Sequence, residues 1–227
     1  MKSKNQNLFS DFSVTVQSLL SKKFPKTYFV GGAVRNILLG KKIVDVDIAT
    51  SARPEQVSAL LQFDGISCSN QYQKLGVIIA KKGSQTLEIT TFRKEVYLKT
   101  RFPKVAFSTS TKVDSSRRDF TVNALYYSPQ TNELLDFHNG LNDIQNKHLK
   151  FIGNTQQRIE EDPLRIIRAF KFSKLYNLKI DTKTLETLNA NMFLLKKISA
   201  QRLQKEIYVA QSKKVKNYLQ KVIHSNT

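Results

Sequence analysis

Past about residue 150 this chain loses its strand signals, and that change constrains the fold more than any other feature. Before it, short strand-like segments run from Thr27 to Val30, Ile43 to Ala49, Val77 to Ala80 and Leu87 to Phe92. They are bounded by turn residues and rich in β-branched and aromatic side chains. Leu8 to Lys22, Val34 to Leu39 and Glu55 to Leu61 carry helical spacing, the last opening after Pro54. Lys94 to Ser116 is polar and basic, holds Pro103 and several Ser and Thr, and reads as a mobile loop. From Gln156 onward helical patterns dominate. The expectation is an α+β chain in two parts, a mixed domain over residues 1–150 and an all-helical one over 151–227. With 227 residues and 40% hydrophobic content there is enough apolar surface for both.

Lys and Arg total 37 against 18 Asp and Glu, a formal charge of +19. Such an excess favours a polyanionic partner, because each neutralised phosphate releases counterions; a Lys-rich composition of no functional meaning is the alternative. Lys196 to Lys221 concentrates the charge, with eight Lys or Arg and one acid, Glu206. That stretch is either a solvated helix face or a surface for the polyanion. Cys68 is the only cysteine, so no intrachain disulfide forms and a reducing compartment is expected. No apolar run is long enough to span a membrane, and the first residues lack a signal-peptide core. These features predict a soluble, cytoplasmic protein.

Asp45-Val46-Asp47 is the first candidate site. In a strand, alternate side chains share a face, so both carboxylates would point into one place while Val46 packs behind. Two such carboxylates repel unless a cation lies between them, and hard oxygen ligands suit Mg²⁺. A D-x-D pair alone also arises by chance at strand edges. Upstream, Val30-Gly31-Gly32-Ala33-Val34-Arg35 reads as a strand turning through two glycines into a helix. There, backbone N–H groups, the helix dipole and Arg35 can approach a phosphate, or the glycines form only a turn. Downstream, Leu87 to Arg93 alternates like a strand and offers Glu88 as a third carboxylate or as an ordinary exposed Glu.

The string GGAVRN…DVDIAT resembles the signature of class II tRNA nucleotidyltransferases and the related bacterial poly(A) polymerases. LEITTFR, RRDFTVNAL (117–125), LLDFHNGLNDIQNKHLKFIG (134–153), EEDPLRIIRAFKF from Glu160 and, more faintly, ISAQRLQKEI (198–207) extend the match in order over residues 28 to 207. The resemblance implies a polymerase-β-like nucleotidyltransferase head on a mixed sheet, followed by an all-helical neck and body. It implies Mg²⁺ held by Asp45 and Asp47, supported by Glu88, for in-line attack of an RNA 3′ hydroxyl on a nucleoside triphosphate. Gly31, Gly32 and Arg35 would cradle the triphosphate. Arg117, Arg118, Asp119 and Asn123 match the segment gripping the nucleotide's sugar and phosphates, although Asp119 also suits a helix N-cap and the arginine pair a charged surface.

Asp162 and Arg165 match the protein template that reads the base. Residues i and i+3 share a helix face, so an acceptor-only and a donor-only side chain would be presented together to cytosine or adenine. Asp162 as a helix cap with Pro163 first in the helix is the other reading. Arg168 would orient the pair or stack on the base, and Lys171 would add charge nearby. The implied partners are CTP, ATP and the acceptor stem and 3′ end of tRNA. The implied activity is CCA addition, with a CC-adding, A-adding or poly(A)-adding relative, or an inactive RNA-binding homologue, as alternatives.

Four departures from the family pattern stand out. Asn36 occupies a position where Asp is usual, and Lys171 one where Arg is common. The loop motif reads Tyr97-Leu98-Lys99-Thr100-Arg101-Phe102-Pro103, unlike the acidic, glycine-containing form that helps relatives switch from C to A. The sequence ends soon after the fifth motif, where relatives continue into helices reaching the tRNA elbow; on that reading the helical part is truncated at its C-terminal end.

Overall fold

The computed structural model describes residues 8–97, 103–208 and 213–224 of the chain. Helix α1 (Asp11–Lys23) is capped by Ser10, whose hydroxyl accepts from the Ser13 N–H. Strand β1 (Thr27–Val30) is buried along its whole length. The chain then turns at Gly31, whose φ of +68° favours glycine, into α2 (Gly32–Leu38). Next come β2 (Asp47–Thr50) and α3 (Pro54–Phe63), with Pro54 opening the helix where a missing N–H does no harm. The strands β3 (Ser67–Ser69), β4 (Val77–Lys82) and β5 (Gln85–Thr91) follow. A separate hairpin, β6 (Arg93–Val96) and β7 (Lys104–Phe107), leads to α4 (Thr111–Ser116). The strands β8 (Leu125–Ser128) and β9 (Glu133–Asp136) close the sheet. Thereafter every described element is helical: α5 (Gly140–Gln145), α6 (Thr155–Glu161), α7 (Leu164–Tyr176), α8 (Thr182–Ala190), α9 (Ala200–Tyr208) and α10 (Lys213–His224).

The main sheet has seven strands in the order β3-β4-β5-β2-β1-β8-β9. Only β2 and β5 run parallel; the other neighbours are antiparallel, which makes the sheet mixed. Alternation sorts its faces. Phe29, Ile48, Ile78 and Ile89 join Val16, Leu20 and Leu61 from α1 and α3 in the principal core. Tyr28, Val30, Ala49, Phe92 and Tyr126 form a smaller cluster on the opposite face. Each fully buried large side chain is worth about 1.5–3 kcal/mol of transfer free energy, so the sheet is fixed from both sides. The principal core also takes in Ile159, Ile166, Ile167 and Leu195 from the helical part. Phe120 is the joint: its ring lies 4.7 Å from Phe151 and 5.6 Å from Phe172 of α7. Among the described residues, no helix is long and apolar enough to cross a membrane.

Two sequence expectations are corrected here. The strand expected from Ile43 to Ala49 begins only at Asp47. Its partner β1 ends at Val30, opposite Asp47, and then bends away at Gly31, so residues 43–46 have no partner on that side, and the pairing with β5 likewise begins at Asp47. The loop expected from Lys94 to Ser116 contains most of β6, all of β7 and α4; residues 98–102, most of the atypical loop motif, lie outside the described residues.

Candidate active site

Asp47 opens β2 and stands in register with Glu88 on the parallel neighbour β5, so the two carboxylates share a sheet face. Asp45 is exposed and lies in the unpaired run before the strand, which corrects the expectation that both aspartates sit within it. Burial pushes the Asp47 carboxyl up to about 6; the Glu88 and Asp45 charges add to this and Arg118 opposes it. A Cβ on Gly31 would lie 3.4 Å from Arg118 Nη1 and 3.7 Å from Asp47 Oδ2, so the turn runs close against both.

Among the described residues, no three His, Cys, Asp or Glu side chains converge into a ready metal cage. That suits Mg²⁺, which usually takes one or two carboxylates and completes its shell with water and substrate phosphates. Asp47 is in register with Glu88 and shares the cavity wall with Asp45, and a divalent cation would neutralise carboxylates so placed, so the donor set fits the ion.

One cavity of about 650 Å³ gathers almost every expected residue: Gly31, Gly32, Arg35, Asp45, Asp47, Arg117, Arg118, Asp119, Asn123, Asp162, Arg165, Arg168 and Lys171 all line it. Glu88 does not; it borders a neighbouring hollow whose wall also includes Asp45 and Asp47.

The cavity wall is a set of linked polar networks. Arg117 Nε donates to Asp114 Oδ1 at 2.8 Å, and Arg118 Nε donates to the Tyr126 hydroxyl at 2.9 Å. Tyr126 in turn donates to Asp114 Oδ2 at 2.6 Å. Asp114 is completely buried, and burial alone would raise its pKa; the Arg117 and Arg118 charges reverse the effect and hold it low. Arg158, from α6, donates to the backbone carbonyls of both Arg117 and Arg118, which fixes the path of that pair.

Asp119 is a hub. It accepts from its neighbour's backbone N–H at Phe120, from Asn123 Nδ2 at 3.0 Å, and from Arg168 through Nε at 2.8 Å and Nη2 at 2.6 Å. Burial would raise its pKa, but Arg168 and these hydrogen bonds hold it at about 2. Asn123 Oδ1 accepts from Arg35, whose guanidinium also donates to the Tyr176 hydroxyl at 2.6 Å and lies 4.1 Å from the centre of that ring. On the far side, Arg168 meets Glu206 of α9 at 3.3 Å, and Glu206 also pairs with Lys171.

Asp162 and Arg165 are not presented as neighbours on one helix face. Asp162 lies in the extended turn between α6 and α7, its Oδ1 accepting from the Leu164 N–H at 3.3 Å. Pro163 has helical φ and ψ and precedes α7 without a side-chain cap, while Asp162 closes α6, so the acid lies outside the α7 helix. Arg165 is buried and donates to Glu161 Oε2 and to the Arg158 carbonyl, each at 2.7 Å, with the Tyr97 ring 5.8 Å from it. Asp162 faces Arg202 of α9 at 3.4 Å, a half-exposed ion pair of the weak sort.

Sequence reasoning missed Asp114, Glu95, Arg158 and the pocket-side role of Glu206. Glu206 carried a signal, being the lone acid among eight cations. Asp114 and Glu95 sat within the stretch read as loop, which concealed them.

Residues 27–150 match the family model described as the Poly A polymerase head domain. The CCA-adding enzyme of Streptococcus uberis is 40% identical over 179 residues, covering 78% of this chain and 43% of that protein. The mitochondrial CCA tRNA nucleotidyltransferase 1 of Mus musculus is 36% identical over 209 residues, covering 89% and 47%. The chain thus spans less than half the length of these curated relatives. Among solved structures, the Bacillus stearothermophilus CCA-adding enzyme in complex with CTP superposes with a TM-score of 0.75 at 30% identity, covering 86% of this chain and 46% of that one. A tRNA nucleotidyltransferase complexed with a primer tRNA and an incoming ATP analogue gives 0.74 at 29%, covering 93% and 60%. With more than half of its residues matched to one family model, the chain belongs to the Poly A polymerase head-domain family of nucleotidyltransferases.

Proposed function

We propose that this chain performs template-independent addition of C and A to the 3′ end of tRNA, using CTP and ATP and releasing pyrophosphate. The observation that carries the reading is a single cavity lined by both Asp45 and Asp47 and by Asp162 and Arg165, which puts carboxylates suited to metal beside groups suited to a base edge. Named relatives that add CCA, and solved complexes with CTP and with primer tRNA and an ATP analogue, support it.

In this reading the RNA 3′ oxygen forms a bond to the α-phosphorus while the bond to the β-phosphate oxygen breaks. Mg²⁺ at Asp45 and Asp47, two hard oxygen donors, would neutralise charge on the attacking and leaving oxygens. Glu88 supports that pair from the next strand. Arg35 and the Gly31-Gly32 turn hold the triphosphate; α2 has only seven residues, so its dipole adds little. Arg117 and Arg118, set by Arg158 and Asp114, grip sugar and phosphates with Asp119 and Asn123. A base displaces Arg202 from Asp162 and meets Arg165 alongside, with Arg168 and Lys171 behind. Residues 1–150 then serve catalysis and 151–227 nucleotide choice and RNA binding. The lone Cys68 is free, which accords with a reducing, cytoplasmic setting.

The test is incubation of tRNA ending at its discriminator base with CTP and ATP, separately and together, followed by sequencing. Addition of CCA with both nucleotides is expected. CC alone, A alone or long A tracts would replace the reading with a narrower one, and no addition would overturn it.

A further inference from the structure

Eight cations line the cavity, and most are already matched. Arg117 and Arg118 pair with Asp114, Arg165 with Glu161, Arg168 with Asp119 and Glu206, and Lys171 with Glu206. Their charge is largely cancelled within the protein. Three differ. Lys41 and Lys42 are in no ion pair among the described residues, and Arg35 contacts only neutral acceptors: Asn36, Asn123 and Tyr176. All three lie on α2 or on the turn that follows it. The uncancelled positive charge of the pocket therefore comes from one short stretch of chain, between the Gly31-Gly32 turn and Asp45.

Asn36 is the reason for that arrangement. Its Oδ1 accepts from Arg35 Nε at 3.2 Å and from Nη2 at 2.9 Å, while its Nδ2 donates to the Lys42 carbonyl at 2.9 Å. Its own backbone carbonyl accepts from the Lys41 N–H at 2.8 Å. A neutral amide can orient the guanidinium without neutralising it and can tie down a carbonyl at the same time. A carboxylate could do neither: it would cancel Arg35 and has no donor for Lys42. The side chain thus holds the Lys41-Lys42 turn at the cavity wall and leaves Lys41, Lys42 and Arg35 outside any ion pair among the described residues.

We propose that Lys41 and Lys42 are phosphate-binding residues, positioned by Asn36, and that with Arg35 they receive the β- and γ-phosphates of the incoming nucleotide. The proposal rests on the nucleotidyltransferase reading and adds the residues that take the polyphosphate tail. Three cations that line one cavity and make no ion pair among the described residues suit a ligand carrying three or four negative charges on flexible oxygens. Lysine, a mobile point charge, fits a tail that must leave as pyrophosphate better than a rigid fork would. Most of the charge on the tail is already present in the substrate, so these contacts act chiefly on affinity and only weakly on the chemical step.

The test uses the full chain with Lys41→Gln, Lys42→Gln and the double variant. Dissociation constants are measured for CTP, CMP and inorganic tripolyphosphate, and KM and kcat for both CTP and tRNA. The double variant should weaken CTP and tripolyphosphate about tenfold, as expected for two partly screened charge contacts, and leave CMP unchanged. KM for CTP should rise with kcat within about twofold. Unchanged CTP and tripolyphosphate affinity would overturn the proposal. So would a raised KM for tRNA with CTP affinity intact, which would assign the lysines to RNA. If the wild-type chain binds CTP but adds nothing to RNA, the functional reading fails while the phosphate seat stands; if wild type adds nucleotides and the variants match it, only the seat fails.

Discussion

Replacing Asp119 with Asn keeps the shape of the side chain and removes its charge, which isolates what that carboxylate contributes. It accepts from the Phe120 N–H, from Asn123, and twice from Arg168. The fall of its pKa from 3.8 to about 2, at ~1.36 kcal/mol per unit, corresponds to about 2.5 kcal/mol of folding free energy. An amide oxygen can still accept from Phe120 and Asn123, which share Oδ1, but the NH₂ then takes the place of Oδ2 and faces Arg168, itself a donor. Breaking a buried pair costs about 3–5 kcal/mol when the remaining charge has no other partner. Arg168 keeps Glu206, which puts the expected loss below that range, at about 2–3 kcal/mol. Urea denaturation at pH 7 measures this directly. The pH dependence supplies a second check. The folded pKa lies below the unfolded one, so the contribution is complete above about pH 4 and is lost as pH falls from there toward 2. Wild type should lose that increment across the window and Asp119→Asn should not. A variant within about 0.5 kcal/mol of wild type, with the same acid profile, would refute the assignment of Asp119 as the hub of the network.

Arg158→Ala should uncover the carbonyls of Arg117 and Arg118, destabilise the chain by about 1–3 kcal/mol and raise the nucleotide KM; a wild-type KM would show that the clasp does not position the pair. Gly140→Ala should cost about 1–3 kcal/mol or more, because the new Cβ would fall 2.3 Å from the Thr121 carbonyl oxygen, which belongs to backbone; an unchanged urea midpoint would contradict this. Arg165→Ala should relax selection of CTP and ATP over UTP and GTP by about tenfold to a hundredfold, read from misincorporation rates; full selectivity with stability alone reduced would leave Arg165 a structural residue tied to Glu161.

What the sequence makes legible here is local. Strand β1 falls on the span its β-branched and aromatic residues mark, and α3 starts at the proline that announces it. Asp47 and the Gly31 turn reach the cavity from strand ends, where a few backbone angles decide direction, whereas Arg165, Arg168 and Lys171 recur at helical spacing along α7. What stays hidden depends on distant partners. Arg93 to Val96 is too polar to read as a strand, since its pairing and the ion pairs of Glu95 come from Phe107, Arg93 and Arg117. Asp45 alternates correctly with Asp47, yet the strand starts two residues later because its neighbour bends at Gly31. The i and i+3 spacing of Asp162 and Arg165 suggests a shared helical face, but Pro163 makes the acid the residue before the helix.

Glu206 joins α9 to two cations that also line the cavity proposed to take the nucleotide. That shared membership makes the helix and the pocket two sides of one equilibrium. A ligand that draws Arg168 or Lys171 toward itself weakens their hold on Glu206, and by reciprocity whatever steadies α9 alters affinity in the cavity by the same factor. The backbone amides of α9 thus become a built-in gauge of occupancy: their hydrogen-exchange protection should shift when nucleotide binds, although among the described residues none of α9 lines that cavity.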